Sequence, residues 1–240
     1  MKKIVKLSDK NFFSKLIPDS PEIICLCGQM AAGKNYAAQK LCSQTSDKKC
    51  VSIDLDKTVH LAIEKLTPQI LQTFEKDAKK AKIELQNKDG SLNRRALGAL
   101  IFARPDLLKK QEDLVYPETV RLVKEFIAQN KDKTVFLNAT VLYKTPQLVE
   151  LCSKIYFVTS PFIKRLVRAK RRDKMPLKQI IKRFKTQNKL LSEYKKTKLP
   201  TLDVKPYLCW DYLSSSKYKG LDKIICNILK SFGKYETSVD

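Results

Sequence analysis

The sequence predicts an α/β fold of three layers, with a parallel sheet of about five strands covered by helices on both faces. Two observations carry this. Short apolar runs at 22–27, 51–53, 134–137 and 154–158 show no helical stripe and read as buried strands. The stretches between them have helical spacing, and strands that alternate with helices build parallel sheets.

Residues 1–20 read as a leader, with a short helix expected around 10–16. Met1, Lys2 and Lys3 look like the start of a signal peptide, but Lys6, Asp9 and Lys10 interrupt any apolar segment, so no secretion signal is expected. The strand at 22–27 stops at Gly28, and 35–43 follows with helical spacing. The strand at 51–53 ends at Asp54-Leu55-Asp56. Residues 57–130 are mostly helical, interrupted by a turn at Asn87-Lys88-Asp89-Gly90, after which Ser91 or Asn93 can cap the next helix. Beyond the fourth strand, 161–195 is helical and basic. A fifth strand is expected within 207–213 and a closing helix over 221–232. The expected organisation is a single domain over 21–240, with a helical substrate-binding subdomain at 60–130 and a basic helical lid at 164–198.

The loop after the first strand carries the sharpest motif. Gly28-Gln29-Met30-Ala31-Ala32-Gly33-Lys34-Asn35 is GxxxxGK between a strand and a helix, the setting of a phosphate-binding loop. Glycines let the backbone turn tightly and aim N–H groups at phosphate oxygens, and the helix N-terminus adds positive character. Lys34 supplies a full charge to the β- and γ-phosphates of ATP. These residues and Tyr36, on the first helical turn, are the candidate nucleotide contacts. Ser or Thr is usual after the lysine, where its hydroxyl reaches Mg²⁺. Asn35 stands there instead, and an amide oxygen is also a ligand for Mg²⁺, so Asn35 and Asp54 are the candidate metal ligands.

Ligands of open parallel sheets bind at the carboxyl ends of the strands. Asp54 and Asp56 follow the second strand, two apart, and in extended backbone they share a face. Phosphorylation of an alcohol needs a carboxylate to orient the hydroxyl and take its proton. Asp56 is the first candidate for that base and Asp54 the second. His60, the single histidine, falls one helical turn beyond Asp56 and is a candidate substrate contact.

The net charge of +23 suits nucleic acid, an anionic membrane or a phosphorylated substrate. No nucleic-acid-binding signature accompanies it, and aromatic residues are sparse in the basic stretch, so nucleic acid is not the expected partner. No apolar run approaches the roughly 20 residues of a membrane span. The seven cysteines are an odd number in apolar surroundings, which reads as reduced thiols in a cytoplasmic protein. A monomer or weak oligomer is expected.

With these motifs in place, the chain resembles the dephospho-coenzyme A kinase family, within the P-loop NTPase type of fold. Ser52-Ile53-Asp54-Leu55-Asp56 is similar to the family's V-I-D-A-D segment. Asn87 to Gly98, continuing to Ile101-Phe102 and Pro105, resembles its N-dGsLnR-L and vF-dp stretch, which generic P-loop kinases lack. Arg172-Asp173, Arg183 and Gln187 match the spacing of its lid helices. Departures are Asn35, Val115-Tyr116-Pro117 in place of His-Pro, and the segment from Leu137 to Lys144, where an acidic residue, a proline and a final Glu are usual. The segment around Tyr212–Ser216 matches poorly.

The resemblance implies transfer of phosphate from ATP, with Mg²⁺, to the ribose 3′-hydroxyl of dephospho-CoA. Arg172 and Arg183 become the lid arginines that stabilise the transferring phosphate, with Arg168 next, while Arg165 and Arg168 are hard to place because of an insertion near 167. Arg94 and Arg95 become contacts for the substrate diphosphate, and Tyr116 a further substrate contact. The alternatives are a P-loop kinase of another small alcohol or nucleotide, or a non-catalytic relative that binds nucleotides or nucleic acid.

Overall fold

Alternation along β1 explains the layers. Ile24 and Leu26 point to one side of the sheet, Cys25 and Cys27 to the other, and all four are buried. The computed structural model describes residues 16–43, 49–102, 104–173 and 175–205. Its five strands are β1 (Ile23–Gly28), β2 (Cys50–Asp54), β3 (Thr134–Asn138), β4 (Lys154–Val158) and β5 (Thr201–Val204). They lie in the order β2-β3-β1-β4-β5, and every neighbouring pair is parallel.

The intervening helices are α1 (Lys34–Ser43), α2 (Leu55–Lys65), α3 (Thr67–Ala81), α4 (Arg94–Phe102), α5 (Pro105–Ala128), α6 (Pro146–Val149), α7 (Phe162–Asp173), α8 (Leu177–Thr186) and α9 (Leu190–Lys196). On one face of the sheet, Ala37, Ala38 and Leu41 of α1 pack on Ile24, Leu26 and Phe136. On the other, Val120 and Val123 of α5 and Tyr194 of α9 pack on Cys25, Cys27, Leu137 and Phe157. The five described cysteines are all thiols, and burial pushes that of Cys42 up to about 11.

Helices α2 to α5 have a core of their own, built on Ala62, Ile70, Phe74, Leu97, Ile101 and Val115. Between α3 and α4 the chain folds back through a tight turn, with Gly90 at φ 83° and a bridge between Gln86 and Leu92. Asn93, not Ser91, caps α4: its Oδ1 accepts from Ala96 N at 3.0 Å, whereas the Ser91 hydroxyl donates to Asp89 at 2.6 Å. The turn thus delivers Arg94 and Arg95 to the start of a helix.

Two expectations are refined. The basic stretch, expected to be helical, is divided into three helices, α7 to α9, with Pro176 immediately before α8. The fifth strand of the sheet lies at Thr201–Val204, ahead of the expected 207–213. It is four residues long at a sheet edge, and its pattern of Thr, Leu, Asp and Val carries too little apolar signal to be read. Residues 10–15, 207–213 and 221–232 fall outside the described residues. Among the described residues no helix is long and apolar enough to cross a membrane.

Parallel register brings the carboxyl ends of the central strands level. Asp54 pairs with Asn138, and Asn138 with Leu26, two residues before Gly28. At Gly28 the chain leaves β1 with φ 153°, so close to β4 that a Cβ would sit 2.3 Å from the Val158 carbonyl oxygen. Gly28→Ala is therefore expected to destabilise the protein by at least about 2 kcal/mol. For a chain of this size that lowers the thermal midpoint by roughly 4–8 °C, measurable by calorimetry or circular dichroism.

Candidate active site

The loop between β1 and α1 is shaped from outside. Arg165 Nε donates to Met30 O at 3.0 Å, and Arg168 Nη1 donates to Ala31 O at 3.1 Å and Ala32 O at 3.4 Å. Three consecutive carbonyls therefore turn toward α7. In a trans peptide the N–H points opposite to the carbonyl. The N–H groups of Ala31 and Gly33 consequently face the other way, toward the concave side of the loop. Ala32 N closes a turn on Gln29 O at 3.0 Å, with Ala31 at φ 59° and Gly33 at φ 102°. The unpaired N–H groups in the first turn of α1 continue the same concave surface.

Arg165 also donates to Gln29 Oε1 at 2.6 Å, and its guanidinium stacks on the Phe184 ring, 4.1 Å from the centroid. It is only 5% exposed, and burial holds its pKa below the usual arginine value. From the end of α8, Gln187 accepts from Met30 N at 2.6 Å, and its carbonyl accepts from Gln29 Nε2 at 3.2 Å. Met30 itself packs with Leu166, Ile180 and Phe184. Arg165 and Arg168, which the sequence left hard to place, are the grip on the loop backbone.

Lys34 is half-buried, and its Nζ donates back to Gly28 O at 3.3 Å, folding over the loop. Burial lowers its pKa; Asp56, then Cys27 and Asp54, oppose the shift, and Arg172 adds to it. Lysine, both aspartates and the arginine therefore share one electrostatic environment.

Asp54 and Asp56 do not share an extended face, because the chain turns into α2 at once. Asp54 is the N-cap of that helix, its Oδ1 accepting from Asp56 N at 3.1 Å and Lys57 N at 3.4 Å. Its Oδ2 accepts from Asn35 Nδ2 at 3.4 Å, and Asn35 Oδ1 accepts from Asn138 Nδ2 at 3.0 Å. Asp56 lies on the first helical turn, where its exposed carboxylate takes no hydrogen bond from the described residues.

Along α2, Asp56, His60 and Glu64 recur at helical spacing on one face, with His60 exposed. Glu64 lines a groove of about 740 Å³ together with Thr67, Asn93, Arg94 and Arg95. Eight residues of helix put this groove about 12 Å from Asp56 along the axis. Arg94 approaches Glu64 at 3.9 Å. Tyr116 is not among the residues that line the groove. Its hydroxyl donates to Glu112 Oε1, one turn back on α5, at 3.0 Å, and Lys144 Nζ donates to the same oxygen at 3.0 Å. Burial, reinforced by Glu112, raises the Tyr116 pKa.

Arg172 is exposed and binds Asp173 with Nε–Oδ1 2.6 Å and Nη2–Oδ2 3.0 Å. That pairing raises its pKa against burial, and Asp56 adds to the pull. Asp173 is in turn held low by Arg172 and, more weakly, by Arg183. Tyr36 is exposed on α1, its ring 5.8 Å from Lys40 Nζ.

Sequence reasoning did not single out Asn138 or assign Arg165. A signal existed for Asn138, a polar residue at the end of an apolar strand on the binding side of a parallel sheet. None existed for Arg165, which sits in a run of equivalent basic residues.

A family model for dephospho-CoA kinase matches residues 22–201. A dephospho-CoA kinase of Treponema denticola is 33% identical over 194 residues, 79% of this chain and 84% of that protein. One of Treponema pallidum is 32% identical over 168 residues, 69% of this chain and 77% of that protein. Among solved structures, TT1252 from Thermus thermophilus has a TM-score of 0.62 at 23% identity, covering 89% of this chain and 98% of that one. The dephospho-CoA kinase from Campylobacter jejuni has a TM-score of 0.51 at 18% identity, covering 87% and 97%. At those identities the structures attest the shared fold, while the family model and the treponemal relatives identify the lineage. The chain belongs to the dephospho-CoA kinase family.

Proposed function

We propose that this chain transfers the γ-phosphoryl group of ATP to the ribose 3′-hydroxyl of dephospho-CoA, giving ADP and CoA, the last step of CoA biosynthesis. The observation that carries the reading is the pairing of an inward-facing phosphate loop with the exposed carboxylate of Asp56 on the first turn of α2, whose charge acts on Lys34. Lys34 and the loop N–H groups hold the β- and γ-phosphates and meet the charge that develops during transfer. Asp56 orients the acceptor hydroxyl and receives its proton. Asp54 suits that task less, since both its oxygens already accept hydrogen bonds.

Asp54 Oδ2 and Asn35 Oδ1 each accept one hydrogen bond and keep a second lone pair, a hard donor set for a cation. Mg²⁺ is bound by one or two protein oxygens plus phosphates and water, so the residues present fit it. When bound, it neutralises charge on the phosphates. Arg172 and Arg183 are assigned to the far side of the transferring phosphate. The groove at Arg94 and Arg95 takes the diphosphate of dephospho-CoA, with His60 along the connecting face of α2. Tyr116 is assigned to supporting α5 against Lys144 rather than to direct substrate contact. The described thiols fit a reducing, cytoplasmic setting, and we read the chain as a monomer or weak oligomer.

ADP release with ATP, Mg²⁺ and dephospho-CoA, with CoA identified by mass, tests the reading. Turnover of nucleosides or other alcohols but not of dephospho-CoA overturns it. Lys34→Ala is expected to lower turnover by at least about 10³-fold. Asp56→Asn is expected to lower kcat by about 10²–10⁴-fold with KM little changed; a loss confined to KM assigns Asp56 to binding instead. Arg165→Met removes charged hydrogen bonds to the loop, and titration calorimetry is expected to show ATP affinity about tenfold weaker.

A further inference from the structure

Asn35 and Asn138 form a hydrogen-bonded chain whose direction is set at one end. A carboxylate accepts and cannot donate, so the nitrogen of Asn35 must face Asp54. Its oxygen then faces Asn138, which must present its own nitrogen. The structure has this arrangement: Asn138 Nδ2 to Asn35 Oδ1 at 3.0 Å, then Asn35 Nδ2 to Asp54 Oδ2 at 3.4 Å. Asn138 is 4% exposed, locked into β3 level with Asp54 in the sheet register, whereas Asn35 is exposed on α1. The buried amide is the fixed point and the exposed amide the movable one. Both lie where the sequence departs from its family pattern.

We propose that Asn138 is a positioning residue: through Asn35 it sets the amide oxygen and the Asp54 carboxylate that receive the metal–nucleotide complex, and the two asparagines act as a coupled pair. This rests on the assignment of Asn35 and Asp54 to the metal. Asp54 Oδ1 is already held by the first turn of α2, so Asn35 governs only the second oxygen. Loss of Asn138 frees Asn35 Oδ1 from its buried donor, and the amide can then turn away from its present direction. Loss of Asn35 leaves the buried Asn138 nitrogen without its acceptor and Asp54 Oδ2 without its donor. Each substitution alone therefore removes the same function, and the second removes nothing further.

The test is ATP binding by calorimetry on the full chain, with and without Mg²⁺, for the parent, Asn138→Ala, Asn35→Ala and the double variant. The readout is the ratio of the two dissociation constants, which reports the metal's contribution and which a merely structural role leaves unchanged. Each single variant is expected to lower the ratio by about threefold to tenfold, and in Asn138→Ala the metal-free ATP affinity is expected to stay within about twofold of the parent. The double variant is expected to match the larger single effect. Asn138→Ser keeps a polar group in the buried position and carries the same expectation should Asn138→Ala not fold. An unchanged ratio in the Asn138 variants, or a double effect equal to the product of the singles, overturns the proposal. A parent protein whose ATP affinity ignores Mg²⁺ overturns the metal assignment itself, and the pairing as a metal device falls with it.

Discussion

Two guanidinium groups on α7 hold three consecutive carbonyl oxygens of the loop after β1, and the rest of the site follows from that grip. A loop that must receive phosphate needs its N–H groups aimed inward, an arrangement that crowds like dipoles together. Pulling the carbonyls outward onto cations stabilises the crowding in advance of any ligand. Burying Arg165 has its own cost, offset by hydrogen bonds to Met30 and Gln29 and by the face of Phe184. The large positive charge of the chain thus has at least two uses. Some cations support the loop backbone from behind, and others, such as Arg172, stand exposed toward solvent.

Helix α2 ties the chemistry to the groove. Its N-cap is Asp54, its first turn carries Asp56, and its last turns line the groove beside Arg94 and Arg95. It also packs on α5, where Lys65 pairs with Glu118 at 2.9 Å. A displacement of the helical subdomain would therefore be felt at Asp56, since one rigid element runs from one to the other.

The parts legible in the sequence were those with short-range signals. Four strands showed as apolar runs, the phosphate loop as a motif in its proper setting, and Asp54 and Asp56 as carboxylates after a strand. The fifth strand was not legible, because an edge strand of four residues needs only Leu202 and Val204 to face inward. The grip of Arg165 on the loop joins residues more than a hundred positions apart, and nothing in a basic helix marks which arginine points inward. Tyr116, which stands where the family pattern departs from His-Pro, donates its hydroxyl to a glutamate one turn away, a pairing that the sequence did not signal. The change of backbone at Asp54 was hidden for another reason: the same residue ends a strand and caps a helix, so its neighbour Asp56 leaves the extended geometry.

The two contacts that Gln187 makes with the loop have a mechanical consequence. The excursion from α7 through α8 is pinned at its start by Arg165 and Arg168, and again at its end by Gln187. A strap fastened at both ends cannot leave the loop without breaking one of these sets of contacts. A shift of either helix would then be carried directly into the curvature of the phosphate loop.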